Sequence, residues 1–434
     1  ATAEHPWLVI VVRREESGGF TPTTGDSVVL GPLPADIMRE LVIAASEATP
    51  LRPHEVDSIV DRADGSPLFV TEVMRTAVAG GQVAALPDSI GAVLDAQMDQ
   101  LHPQTRRVLR YSAVLGRSFP RVLLRETLES DGITVDAATI EDLGAFLEED
   151  GPLRYRFRNS LVRDAAYEGL AFRTRARLHK QAGEALELLI TTQGADADAD
   201  ADAATLSLHF LHAGDHTRTL EHARRAAHVA RRSYANADAA VLYQRAVEAS
   251  RRVSNLADAD RVDLLMALGE VRELAGILDG SIDAYRRAFA VTTDPDTKIE
   301  ILLRRARVQE RAGLPRGALL AVARARRLLG TSSEARAQRF GPRLDTLVAV
   351  IRLGQEKPKE ARRAGVRAVA GARHSNDPET LVQALMAVDY ADLLLGRSVE
   401  GACTREALDL CIEHGFRPRE SVARANLGGF AFYA

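Results

Sequence analysis

One spacing of small and large residues recurs in the C-terminal half of this chain and restricts its fold more than any other feature. Ala239, Tyr243 and Ala246 share one face of a helical period. The same small–large–small order returns at Ser281, Tyr285 and Ala288, then more weakly at Ala318, Val322 and Ala325. Twelve residues before the later two copies stand Gly269 and Ala306, small residues where paired helices would cross. Small residues let two helix axes approach, and the large one fills the gap that remains. An aromatic share of only 5% beside 46% hydrophobic residues suits such close helix-on-helix packing. Each unit is then an antiparallel helix pair that buries its face against the next pair.

The pattern is that of tetratricopeptide repeats, two antiparallel helices per unit. Successive units fall about 37–43 residues apart, longer than the usual ~34, so the helices or turns are extended. Degenerate copies follow near Ala361–Ala368 and Glu400–Ala407, and Asn426-Leu427-Gly428 reads as the first helix of a further unit. The array is expected over 204–434 and to be cut within a repeat.

At 434 residues the chain exceeds the roughly 250–300 that one core can serve, and the first half reads differently. Trp7-Leu-Val-Ile-Val-Val12 is an unbroken apolar run, the pattern of a strand buried on both faces, and Ser27–Leu30 reads as a second, short strand. Residues 1–33 are therefore expected to be the last strands of a nucleotide-binding α/β sheet whose remainder lies upstream, in keeping with a first residue, Ala1, that is not Met. Over 34–85 the pattern is helical, with Ile37, Leu41 and Ile43 on one stretch and Val56, Ile59 and Val60 on the next; Gly65-Ser66-Pro67-Leu68 interrupts it. Residues 86–190 hold compact helices at Asp88–Leu101, Pro103–Leu115, Pro120–Leu128 and Ala137–Leu147, an Asp150-Gly151 turn and a strand Leu153–Phe157, an order that reads as a winged helix with a following helical segment. The alternating Ala and Asp of 191–203 read as a solvated acidic linker; a calcium loop would need a central glycine and a closing Glu.

Several chemistries are excluded. A Walker-type phosphate loop ends in Lys followed by Ser or Thr, whereas Lys180, Lys298, Lys357 and Lys359 precede Gln, Ile, Pro and Glu. The segment has no complete catalytic site. A net charge of −4 supplies no basic field for nucleic acid. The third winged-helix helix, read as 137–150, carries five acids and no base, so phosphates would repel it. His209, His212 and His216, with His222 nearby, have helical spacings that invite a metal, but Ala213-Gly214-Asp215 ends the helix and no acid or Cys completes the set. Cys403 and Cys411, eight apart on one helix, are separated by ~12 Å and cannot pair. That usage fits a reducing compartment, and with neither a secretory signal nor a membrane-length apolar run the expectation is cytoplasmic, with no membrane partner.

Five segments in order resemble the signal-transducing STAND ATPases: Trp7–Arg14, Leu30-Gly-Pro-Leu33, Asp64-Gly-Ser-Pro-Leu-Phe69, Leu86-Pro-Asp-Ser-Ile90 and Phe157-Arg-Asn-Ser-Leu-Val-Arg-Asp-Ala-Ala-Tyr-Glu168. The similarity is greatest to the branch found in large LuxR-type regulators and cyclase-linked ATPases. The resemblance implies ATP or ADP with Mg in a full-length parent, with no cofactor expected in this fragment. It implies that Arg14 senses the terminal phosphate, with Arg13 the adjacent alternative, and that Gly65 and Pro67 form the turn whose proline packs on adenine. Relatives often carry a β-phosphate-binding His where Asn159 stands; Asn159 either keeps a neutral hydrogen bond to nucleotide or caps the following helix, and the two readings weigh equally. The expected whole is mainly α: a sheet remnant, a helical lid, a winged helix and an α-solenoid. Its expected role is the regulatory half of an ATPase switch that controls transcription or another linked output and takes a protein or small-molecule effector on the repeats. The competing class is a repeat scaffold with no nucleotide-dependent switching.

Overall fold

The computed structural model describes residues 28, 30–46, 51, 53–63, 65–78, 90–193, 196–330, 334–397 and 400–433. The strand expected at Trp7–Val12 lies outside them. The chain divides into two compact units between Arg106 and Arg107.

The first unit holds α1 (Ala35–Ala45), α2 (Pro53–Ala63), α3 (Pro67–Val78) and α4 (Ile90–Gln100). Its core joins Met38 and Val42 of α1, Val56, Ile59 and Val60 of α2, and Phe69, Val70 and Val73 of α3. The expected apolar face of α1 needs correction: Ile37 and Ile43 are exposed, and the buried stripe is Met38 and Val42, one helical turn apart. Pro53 and Pro67 each open a helix, where a missing N–H removes no intrahelical bond.

After α5 (Pro103–Val114), which straddles the division, come β1 (Ser118–Pro120), α6 (Arg121–Glu129), α7 (Ala137–Leu143), β2 (Leu147–Glu149), β3 (Arg154–Phe157), α8 (Ser160–Glu168) and α9 (Phe172–Gln193). The strands form an antiparallel sheet in the order β1-β3-β2, with Phe119 opposite Tyr155 and Glu148 opposite Arg156. Gly151, at φ +73°, turns the chain between β2 and β3, as its pairing with Asp150 implies. Glu148 and Glu149 are not a helix end: they lie on β2, where Arg156 donates to Glu148 at 2.7 Å and Arg121 pairs with Glu149. α7 stops at Leu143 and carries only Glu141 and Asp142 of the five acids expected on it. Tyr111 of α5 donates to Asp131 at 2.7 Å, and Arg177 and Gln181 of α9 bind the same carboxylate. The Arg177 hydrogen bond holds Asp131 well below the usual carboxylate range.

From there the described chain is helical: α10 (Asp196–Ala213), α11 (His216–Arg232), α12 (Asn236–Ser250), α13 (Asp258–Leu274), α14 (Leu278–Val291), α15 (Pro295–Arg311), α16 (Pro315–Leu329), α17 (Glu334–Gly354), α18 (Pro358–His374), α19 (Pro378–Leu394), α20 (Ala402–His414) and α21 (Arg417–Tyr433). Consecutive helices pack as pairs, and α15, α17 and α19 also touch in series, as the first helices of stacked hairpins must. The acidic linker expected over 191–203 is corrected: from Asp196 it is the start of α10. Alanine favours helix and acids in the first turns suit the helix dipole. Ala203 is fully buried and Asp200 accepts from Arg225 of α11 at 2.6 Å.

The small–large pattern marks the helix crossings. Ser281 donates to the Gly269 carbonyl at 2.7 Å, and a Cβ on Gly269 would stand 2.7 Å from Cε1 of Tyr285. Gly183 against Phe210 and Gly365 against Val388 repeat the device between α9 and α10 and between α18 and α19, at 2.9 and 2.7 Å. At the C-terminal end Asp389 of α19, 6% exposed, accepts from the Thr404 N–H at 2.6 Å and so caps α20 from a neighbouring helix.

Gly269→Ala is expected to lower stability by roughly 1–3 kcal/mol through overpacking against Tyr285. Gly428→Ala, an exposed site within α21 with nothing near its Cβ, should be neutral or gain about 0.4–1 kcal/mol. Urea unfolding of both variants checks this; equal effects would remove the interlock as the reason for the pattern.

Candidate functional site

The first helices of the hairpins carry a chain of alternating charge. Arg231 of α11 donates to Glu270 of α13 at 2.6 Å, and Arg304 of α15 reaches the same carboxylate at 3.4 Å. Arg304 also donates to Glu300 at 3.2 Å, one helical turn away, and Arg343 of α17 grips Glu300 with both amino groups at 2.6 and 3.1 Å. Burial pushes the Glu300 carboxyl up, but the hydrogen bond and charge of Arg343, joined by Arg304, outweigh it and hold the group ionised below its ordinary value. Beneath this row Tyr285 is fully enclosed, and burial raises its hydroxyl to about 12.

A cavity of about 530 Å³ opens beside the row. Val262, Met266 and Phe340 supply apolar wall, and Asp263, Asp296 and Arg339 supply charge. Such a mixture suits an extended peptide or a small charged molecule, because apolar area gives contact and fixed charges of both signs select register. The charged partners remain roughly a quarter to a third exposed, so a ligand can exchange with them.

A second cluster joins α8, α9 and α10. Tyr167 Oη lies 3.0 Å from His179 Nε2, His179 Nδ1 lies 3.0 Å from His209 Nδ1, and His212 stacks on His179 at 4.6 Å between ring centres. Burial first, then the charges of His209, His212, Arg163 and Arg175, lowers His179 to about 3. Burial and His212 lower His209 to about 4. His212 is lowered by burial and by Arg245, Arg163 and Arg175. Both His179 and His209 are neutral at ordinary pH, one donating and the other accepting. Among the described residues no three His, Cys, Asp or Glu are placed to hold a metal ion. His216 opens α11 beyond the Gly214 turn, and His222 binds Glu187 at 2.8 Å while stacking on Phe210.

Of the residues tied to nucleotide by sequence, Arg14 lies outside the described chain. Gly65, at φ +73°, packs so tightly on Pro32 and Leu33 that a Cβ would meet Pro32 Cβ at 2.5 Å. The Leu33 N–H donates to the Gly65 carbonyl at 2.9 Å, so the Gly31-Pro32-Leu33 and Gly65-Ser66-Pro67 segments are stapled together. Pro67 opens α3 with its ring exposed. Asn159, in the other unit, caps α8: its Oδ1 accepts from the Leu161 N–H at 2.9 Å, while its Nδ2 is buried without a partner. The charged row and His179 escaped the sequence reading. The row recurs about once per repeat, a signal that was available; His179 is a lone histidine whose partners lie thirty residues on.

No family model matches the chain, and no curated protein matches it. Solved structures similar to it include a STAND protein with a tetratricopeptide repeat sensor from Pyrococcus horikoshii, 14% identical, TM-score 0.36, covering 92% of this chain and 57% of that one. Aspartyl phosphate phosphatase F from Bacillus subtilis is 12% identical, TM-score 0.35, covering 93% and 96%. The apo quorum sensor NprR from B. thuringiensis is 11% identical, TM-score 0.32, covering 82% and 97%. The chain thus spans just over half the length of the first of these.

Acid should weaken the fold through the histidine cluster. From pH 6.5 downward the unfolded chain binds protons that folded His179 and His209 refuse until about pH 3 and 4. Stability therefore falls across that window, by up to about 1.4 kcal/mol per pH unit for each histidine. Urea midpoints at about pH 7.5 and 5 should show a smaller loss in His179→Gln than in the unaltered chain; an equal loss would clear His179 of the effect.

Proposed function

We propose that this chain is the sensing and regulatory half of a signal-transducing ATPase switch, with the face of the first helices as its effector site. The observation that carries the reading is the row Arg231–Glu270–Arg304–Glu300–Arg343 beside an open cavity. A protein or small-molecule effector seated there would bind best at one helix spacing, since the same side chains that would meet it also tie α11, α13, α15 and α17 together. A ligand shifts an equilibrium only by its preference between two states, and this row is a physical means of preference.

In this reading ATP or ADP with Mg binds to residues of a longer parent. Arg14, Gly65, Pro67 and Asn159 close on it, and the unsatisfied Nδ2 of Asn159 is a donor still free for a phosphate oxygen. The helices and three-stranded sheet from α5 to β3 are a winged helix used as an intramolecular clamp. Their short α7, with two acids and no base, is unsuited to a DNA groove. The output is transcriptional control or another linked domain, a cyclase among the candidates.

In the full-length protein, Arg14→Ala and Pro67→Ala should each weaken ADP binding by at least about tenfold, or about 1.4 kcal/mol, measured by titration calorimetry. Affinity unchanged by both substitutions would leave the plain repeat scaffold as the better description.

A further inference from the structure

On another side of α15 from the charged row, three arginines and two leucines form a groove that the proposed switch does not use. A cavity of about 350 Å³ is lined by Leu302 and Arg305 of α15 and by Leu320, Ala321, Arg324 and Arg327 of α16. Among the described residues no carboxylate pairs with Arg305, Arg324 or Arg327. Asp283 of α14 is bound to Arg286 at 2.5 Å. Other arginines of the array, Arg231, Arg304, Arg311, Arg343 and Arg362 among them, each meet a carboxylate on another helix or the next turn.

Arginine does not shed its proton inside proteins, so clustering it without acids leaves a standing repulsion. Arg305 shows the consequence. Its Nε is buried and makes no hydrogen bond, a state that native structures rarely leave unexplained. Burial, then the charges of Arg324 and Arg286, lowers its affinity for the proton. Arg324 stacks its guanidinium on Phe289 of α14 at 4.2 Å. Stacking occupies the flat face and fixes the group, leaving the N–H edge unspent and already oriented. Leu320, 63% exposed, adds apolar surface beside these donors.

We propose that this groove is a binding site for a phosphate group, either free or carried as the monoester of a small molecule with an apolar body. A dianion between Arg305, Arg324 and Arg327 would offset the mutual repulsion, accept from the stranded Arg305 Nε and present the oxygen geometry that guanidinium forks match. Leu302 and Leu320 would hold the body of an ester. The site needs no nucleotide switching elsewhere. Arg304 and Arg305 are adjacent on α15 but serve the two different sites, so occupancy here would bear on the helix that carries Glu300 and Arg304 of the charged row.

The test is calorimetric titration of the full chain with inorganic phosphate and, separately, with phenyl phosphate, at ionic strength held constant with chloride. Saturable binding is expected, weakened at least about tenfold by Arg305→Gln and by Arg324→Gln and unchanged by Arg316→Gln, an exposed position of α16 outside the groove. Tighter binding of phenyl phosphate identifies an ester as the ligand; equal affinities identify the free anion. Should Arg305→Gln fail to fold, Arg327→Gln, at an exposed position, replaces it. No saturable binding up to about 10 mM, or binding that all the substitutions leave unchanged or reduce alike, overturns the proposal.

Discussion

At several helix crossings in this protein the axes lie so close that one partner must give up its side chain. Gly269 under Tyr285, Gly183 under Phe210 and Gly365 under Val388 are three such positions, and each leaves less room than a methyl group requires. The large residue is then fully enclosed, which fixes the rotation of one helix on the next. Everything further out inherits that rotation. Glu270 meets Arg231 and Arg304 because Gly269, its neighbour, is pinned to Tyr285 and to the Ser281 hydroxyl. The charged row is thus a consequence of the interlock beneath it.

The same rigidity gives the faces of the array different chemistry. In the row from Arg231 to Arg343 on the first helices each charge has an opposite partner, and such pairs set register more than they add stability. In the groove between α15 and α16 the arginines have none among the described residues. At the start of the array the fold replaces charge with neutral polarity: Tyr167, His179 and His209 form a buried hydrogen-bonded line across α8, α9 and α10. A line of this kind favours one arrangement of three helices, since a shift of any one strands a polar group. It connects the helix capped by Asn159 with the first helices of the array.

The repeat architecture was legible because its cause is steric and local: a helical period of small and large residues survives in the sequence even when repeats diverge. The turn at Asp150-Gly151 and the break at Gly65-Ser66 were legible for a similar reason, one residue's backbone demand. What was misread depended on partners distant in sequence. Leu147-Glu148-Glu149 follows a helical stretch with no Pro to part them, and only pairing with Arg154–Phe157 makes it a strand. Asp196–Asp202 has the composition of a linker, but it opens α10, where Asp200 finds Arg225 on α11. On α1 the two candidate stripes differ by a single residue, and the packing of α2 and α3 chooses Met38 and Val42. Site residues were harder still. Glu270, Arg304 and Arg343 recur once per repeat, yet each alone looks like a solvated charge.

In the proposed switch the helices between Asn159 and the array change state with the nucleotide. Amide hydrogen exchange of the full-length protein, loaded with ADP and then with a non-hydrolysable ATP analogue, addresses that directly. Protection in α8, α9 and α10, around Tyr167, His179 and His209, should differ between the two loaded forms and carry into the first helices of the array. Identical exchange throughout these helices, with nucleotide bound in both samples, would contradict the switch.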